Sequence, residues 1–177
     1  MKKFLIAILI LFSVSACGAV TEPMTFENDI FTISFESNWY LVDDFSELSK
    51  YGIEDSSDLM FALFSKEDSL VVPFILSHEY LEKEMTLEEF KGKNTKIIES
   101  IDSYELKELD EMSISDLDAI LHQFYLGENE LERVEYIQSF LYSGKDSYIM
   151  TSSKAGEISA DKLNEIKSIM RSFTLKH

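Results

Sequence analysis

Leu117-Asp118-Ala119-Ile120-Leu121-His122-Gln123-Phe124-Tyr125-Leu126 is the stretch on which the fold turns. In an extended chain, alternate side chains point to opposite faces. Leu117, Ala119, Leu121 and Tyr125 fall on one face, and Ile120, Phe124 and Leu126 on the other. A strand that is apolar on both faces needs cover above and below. The stretch therefore predicts a sheet held between two layers.

Its neighbours extend that reading. Tyr104 to Met112 alternates and carries Glu105, Lys107, Glu108, Asp110 and Glu111, so a strand with one solvated side is expected. Glu132 to Tyr142 and Asp146 to Ser152 read as further strands. The links Ser113–Asp116, Gly127–Glu130 and Ser143–Lys145 are short and polar, as antiparallel hairpins require. Upstream, Ile30 to Phe35 alternates, Trp39 to Val42 is extended, and Leu59 to Phe64 is apolar throughout. Phe45 to Tyr51 reads as a helical turn ended by Gly52. Val71 to Tyr80 is a strand in which Pro73 predicts an edge or a bulge.

Two helices complete the pattern. Thr86 and Glu89 form a capping box, with Met85 and Phe90 as the hydrophobic staple. Leu87, Phe90, Asn94, Ile97, Ile98 and Ile101 give that helix its apolar face. Ser159 caps the second, with Ile158 and Leu163 as staple and Leu163, Ile166, Ile169, Met170 and Phe173 as its face. This order predicts the α+β class: an antiparallel β-sheet flanked by helices, an α/β/α sandwich.

The N-terminus has the layout of a secretory signal: Lys2-Lys3, the apolar run Phe4 to Val14, then small residues. Val14-Ser15-Ala16-Cys17 resembles the lipobox of bacterial lipoproteins, with Val14 where leucine is commonest. The resemblance implies that Cys17 is lipidated and becomes the first residue of the mature chain. Two or three acyl chains anchor a protein stably where one does not. A plain signal with a chance cysteine, or an uncleaved anchor, are the alternatives. The expected organisation is a signal peptide over 1–16, the lipidated Cys17 and a short tether over 17–25, and one domain over 26–177. Gly18 to Thr25 reaches at most roughly 26 Å, so the domain is expected close to the membrane.

Charge narrows the partners. Loss of residues 1–16 removes Lys2 and Lys3 but no acid, so basic residues fall from 16 to 14 against 33 acids, and the formal charge moves from −17 to −19. Nucleic acid needs a basic footprint and is not expected as a partner. Anionic headgroups are equally disfavoured, which leaves the lipid on Cys17 to do the tethering. An apolar fraction of 45% argues for a packed core, not disorder. With its one cysteine, Cys17, taken up by lipid, the domain has no cysteine left for disulfides and must stand on packing.

A second resemblance covers Phe26 to Leu175. Phe31-Thr32-Ile33-Ser34-Phe35, a three-residue turn and Trp39 resemble the isoleucine-x-tyrosine-proline-x-x-tryptophan opening of PsbP-like domains, with Glu36 in the proline's place. Tyr148-Ile149-Met150-Thr151, a helix and Ser172-Phe173 resemble that family's close. The resemblance implies an α/β/α sandwich and a tendency to act as binding or assembly modules. It implies no catalytic residues, because the family has no shared enzymology.

The residues themselves carry little catalytic signal. His78, His122 and His177 lack metal-ligand spacing, so no metal or cofactor is expected. There is no Gly-x-Ser-x-Gly elbow and no phosphate loop. Glu108, Asp110 and Glu111 read as a solvated strand face. Glu54-Asp55-Ser56-Ser57-Asp58 is a candidate weak calcium loop without EF-hand spacing. Trp39, Tyr40, Tyr51, Tyr80 and Tyr104 are candidates for a ligand groove, with Trp39 more at home in the core.

The expected function is a non-enzymatic binding or accessory module of the cell envelope, lipid-anchored outside the cytoplasm and partnered by an envelope protein. Substrate capture for a transporter and an envelope hydrolase are the alternatives. Richness in Lys, Glu, Ile and Ser points to a single-membrane host, while Gly18 after the cysteine is no inner-membrane retention aspartate, which matters only in a two-membrane cell.

Overall fold

The structure, a computed structural model, describes residues 23–51, 53, 58–65 and 73–176. The lipobox, Cys17 and residues 54–57 of the acidic loop lie outside the described residues, as does His177.

The elements run β1 Met24–Glu27, β2 Phe31–Phe35, β3 Trp39–Leu41, a 3-10 helix Phe45–Tyr51, β4 Leu59–Ser65, β5 Pro73–Tyr80 and α1 Leu87–Glu99. There follow β6 Tyr104–Ile114, β7 Leu117–Leu126, β8 Val134–Ser143, β9 Asp146–Ala155, α2 Ala160–Ser172 and β10 Thr174–Leu175. Seven strands form one sheet in the order β3-β4-β5-β9-β8-β7-β6, and three form a second, β1-β2-β10. Every pairing of named strands is antiparallel. Met24 and Thr25, expected in the tether, belong to β1.

Strand β7 behaves as its sequence requires. Ala119 and Leu121 join a core with Ile137, Leu141 and Met150, closed by Ile166, Ile169, Met170 and Phe173 from the α2 end of the chain. The small sheet packs into the same layer: Phe31 and Ile33 are fully buried, and the Phe31 and Phe173 rings lie 5.5 Å apart. On the opposite face Phe124 and Phe140 pack with Phe90 and Ile98 of α1. Near β3 and β4, Val42, Leu48, Ala62 and Phe64 form a third cluster under the 3-10 helix. Each fully buried Phe or Leu adds about 1.5–3 kcal/mol relative to exposure, so these clusters stand in for the missing disulfides.

Three expectations change. β5 is an interior strand between β4 and β9, not an edge. Pro73 is tolerated because it is the first residue, where a missing N–H costs one rung, and its carbonyl accepts from Ser152 Oγ at 2.6 Å. The register shift in that pair falls at Leu59/Phe61 instead. The capping box of α1 forms as expected, with Glu89 N donating to Thr86 Oγ1 at 3.2 Å and Thr86 N to Glu89 Oε2 at 2.8 Å. Its apolar face is narrower, however: Phe90 and Ile98 are buried, while Ile97 and Ile101 are exposed. A helix about 10–12 Å wide covers only about two strands set ~4.8 Å apart.

The third change concerns β6. Glu108 is only partly solvated: its Oε2 accepts from Lys167 Nζ of α2 at 2.9 Å, while Glu111 points the other way and pairs with Lys91 of α1. Lysines from the two helix layers thus hold opposite sides of the outermost strand.

Candidate functional site

A concavity lies between β2 and α2, where Phe35, Trp39 and Ile169 form the floor and Ser34, Glu36, Glu165 and Ser168 the walls, with Pro23 at one end. It encloses about 390 Å³. Trp39 is fully buried and belongs to the main core, as expected of it.

The polar walls are tied to one another. Ser172 Oγ accepts from Ser34 N at 2.8 Å and lies 2.9 Å from the Ser34 carbonyl and 2.7 Å from that of Ile169, which share its single proton. These bonds clamp α2 to β2. Behind the cleft, Lys162 is only 6% exposed. Its Nζ donates to Glu165 Oε2 at 2.6 Å and Ser65 Oγ at 3.1 Å, and lies 5.1 Å from the Trp39 ring centroid. Asn38 Nδ2 donates to the same Glu165 oxygen at 3.1 Å. One helical turn separates Lys162 from Glu165, so α2 presents both on one side. The ammonium balances the carboxylate, which leaves Glu36 as the acid of the rim with no ion-pair partner among the described residues.

A second polar cluster was not anticipated. Glu135 of β8 has no exposed surface. Its Oε1 accepts from Lys107 Nζ at 2.7 Å and Gln123 Nε2 at 2.5 Å, and its Oε2 from Ile158 N at 2.5 Å. One carboxylate thus joins β6, β7, β8 and the entry to α2. Burial is the largest single influence and works against the Lys107 charge, but the hydrogen bonds to Glu135 and Tyr125 and the charges of both together outweigh it and hold the ammonium pKa well above its ordinary value. Arg133 stacks 3.9 Å from the Tyr125 ring centroid and pairs with Glu105.

The histidines do not converge. His122 pairs with Gln138, Gln138 with Thr151 and Thr151 with Ile75, so it shares a sheet face with Ile75. His78 lies three residues along the same strand from Ile75 and points to the other face. His78 Nε2 is 2.8 Å from Asp146 Oδ1, and its ring is 5.0 Å from that of Tyr148. His122 is buried, which lowers its pKa against a weaker opposing pull from Glu99. Burial, then Glu99, raises that of Tyr104. A protonated phenol and a neutral imidazole share a 2.9 Å hydrogen bond between Tyr104 OH and His122 Nε2, its direction set by the imidazole tautomer. Neither histidine has a serine among its hydrogen-bond partners.

The other candidates scatter too. The hydrogen bond with Glu108, then its charge, raises the pKa of Asp110, while Lys167 lowers that of Glu108. Two carboxyls in contact leave no room for a substrate between them. Tyr40 and Tyr80 are exposed, and Tyr40 follows Trp39 directly in β3, so it points away from the cleft. The Tyr51 side chain lies outside the described residues. Of the acidic loop, Asp58 is described, and its carbonyl accepts from His78 N at 2.9 Å. Among the described residues no three His, Cys, Asp or Glu gather to hold a metal, and no helix is long and apolar enough to cross a membrane.

Glu135 could have been found from parity. It alternates with Ile137, Ser139 and Leu141, so its side chain had to face the core, where a carboxylate needs partners. Lys162 at the start of the apolar face of α2 carried a weaker sign.

An antiparallel seven-stranded sheet with a helix layer on each face, and a small sheet sharing one layer, is the PsbP-like α/β/α fold. Cyanobacterial PsbP (CyanoP) from Synechocystis sp. PCC 6803 superposes with a TM-score of 0.60 at 11% identity, over 92% of this chain and 99% of that one. LpqN, involved in cell envelope biogenesis of Mycobacterium tuberculosis, gives 0.57 at 8% identity, over 90% and 87%. A Bacteroides thetaiotaomicron VPI-5482 protein gives 0.51 at 12% identity; the chain covers 83% of itself there but spans only 45% of that protein's length. At such identities the likeness is one of fold. No family model and no curated protein matches the chain.

Proposed function

We propose that this chain is a lipid-anchored, non-enzymatic binding or accessory module of a bacterial cell envelope, held to the membrane through Cys17. The observation that carries the module reading is the engagement of its reactive groups. His78 and His122 face opposite sides of the sheet, and Glu165, Glu108 and Glu135 are each held by a lysine of the fold. Val14-Ser15-Ala16-Cys17 supports the anchor, and LpqN, of the same fold, is involved in cell envelope biogenesis. From Cys17 to Pro23 the chain spans at most roughly 20 Å, so the β2–α2 cleft sits near the membrane in this reading. The −17 formal charge disfavours docking on anionic headgroups and so supports covalent lipid as the means of attachment.

Cys17→Ser tests the anchor. The variant is expected in the soluble fraction, with the lipid mass missing from its N-terminal peptide; a variant that stays fully membrane-bound makes Phe4 to Val14 an uncleaved anchor. Crosslinking on intact cells tests the module, and reproducible recovery of no envelope protein overturns it.

The cleft favours a second reading, capture of a small ligand. Its volume falls within the range of small-molecule sites. Ser168→Trp would fill it from the rim; if a bound metabolite co-purifies with the native chain and is lost in this variant, capture replaces docking.

A further inference from the structure

The face of the large sheet that carries α1 is wider than its helical cover. Seven strands span about 30 Å, and α1 covers about two of them. The two uncovered strips differ in chemistry. Between α1 and the 3-10 helix, the strip is polar: Ser77, Thr151, Ser153 and Gln138, with Gln138 Nε2 donating to Thr151 Oγ1 at 3.1 Å. Water covers such a strip at no cost.

On the other side of α1 the strip is apolar. Leu106 pairs with Phe124 and Leu109 with His122, which puts both leucines on the α1 face of the edge strand β6. The register shift between Leu106 and Glu108 keeps them there despite their odd spacing. They are 48% and 36% exposed, and Ile101, whose carbonyl accepts from Tyr104 N at 3.3 Å, is 42% exposed. Ile101, Tyr104, Leu106 and Leu109 therefore form one stripe alongside α1.

We propose that this stripe docks a basic amphipathic helix of a partner protein, laid beside α1 in the same layer. Same-face residues on a strand recur every ~6.8 Å and i, i+4 residues on a helix every ~6 Å, so the two rows match over three contacts. A position about 8–10 Å from the α1 axis, normal for packed helices, falls over β6. Charge selects the partner. Glu99 lies near enough to Tyr104 and His122 to act on both, and neither it nor Asp102 has an ion-pair partner among the described residues. A second copy of this chain, at a formal −17, would bring acid to acid, and anionic lipid is repelled in the same way. The inference rests on the binding-module reading and names the face and the chemistry of its partner.

The test uses the full lipid-anchored chain in phosphatidylcholine nanodiscs, with empty discs as reference. The probe is a fluorescent peptide of about 14 leucines and lysines in helical period, against one of the same composition in strict alternation. The helical peptide should bind more tightly than the alternating one. Leu106→Ser with Leu109→Ser should weaken it by on the order of tenfold, and Glu99→Lys should weaken it while Asp161→Lys on α2 does not. Circular dichroism checks that each variant is folded. Equal binding by wild type and the double variant overturns the proposal. Preference for the alternating peptide overturns it in favour of strand addition to β6, and crosslinks found only between two copies at position 109 overturn it in favour of self-association. Failure of the in-cell crosslinking with peptide binding intact would instead sink the envelope-partner reading and leave the stripe's chemistry standing.

Discussion

Replacing Glu135 by Leu puts the buried polar cluster to the test. Leucine fills a similar volume, so the change removes the acceptor without opening a large cavity. Three donors lose their partner: Lys107 Nζ, Gln123 Nε2 and Ile158 N. Lys107 has relief, because its side chain is 33% exposed and Glu157 lies 3.5 Å away. Gln123 and Ile158 are buried and have none. Two buried amide donors left unpaired cost about 1–3 kcal/mol each, hence about 2–6 kcal/mol together. Removing one member of a buried ion pair costs about 3–5 kcal/mol, in the same range. A loss of about 4 kcal/mol is expected, a large share of a typical stability of about 5–15 kcal/mol. For a chain of this size Tm should fall by about 8–16 °C. Urea unfolding followed through Trp39, the sole tryptophan and fully buried, gives the measurement directly. Glu135→Gln should fall between, since one carbonyl oxygen remains but an amide N–H₂ now meets a donor. A loss below about 1 kcal/mol for Glu135→Leu would refute the reasoning, because it would mean that water reaches Gln123 and the Ile158 amide.

Two further outcomes follow from local chemistry. The folded pKa of His122 lies below its ordinary 6.5, so the unfolded chain binds the proton first as pH falls. Its share of stability is complete above about pH 6.5 and is lost as pH drops toward the lowered folded value; His122→Gln, which can still hydrogen-bond Tyr104, should flatten the stability profile as pH falls below about 6.5. Gly127 has φ +136°, and a Cβ there would stand 2.8 Å from the Arg133 Cα and the Glu132 carbonyl oxygen. Gly127→Ala should therefore destabilise by more than about 2 kcal/mol, measured by the same unfolding curve, whereas Gly144→Ala, with nothing within 4 Å of the added carbon, should cost less.

Periodicity made much of this fold legible. Strand β7, apolar on both faces, demanded two cover layers, and α1 announced its start through Thr86 and Glu89 because capping is local in sequence. What stayed hidden depends on partners distant in the chain. Pro73 could not be assigned to an interior strand because strand order is set by long-range pairing with Thr151 and Ser152. Ile97 and Ile101 look like core on a helical wheel, but how much of a wheel is buried depends on how many strands lie beneath it. The cleft was equally unreadable, since Phe35, Trp39 and Glu165 meet only when α2 returns to β2.

The charge of this chain and its edge strand answer to one constraint. An exposed edge eleven residues long invites pairing with another chain. Acids at Glu105, Glu108, Asp110 and Glu111 discourage it, but acids so close together repel one another. The fold relieves that repulsion by bringing a cation from three separate elements: Arg133 to Glu105, Lys167 of α2 to Glu108 and Lys91 of α1 to Glu111. Exposed pairs of this kind contribute about 0–1 kcal/mol each, so they manage the edge more than they stabilise the core. The price is paid elsewhere in the molecule. With 16 basic residues against 33 acids, cations drawn to β6 leave carboxylates such as Glu99 and Asp102 without an ion-pair partner among the described residues. An edge that is guarded against other strands, beside a leucine stripe rimmed by unmatched acid, disfavours strand addition and selects a helix with positive flanks.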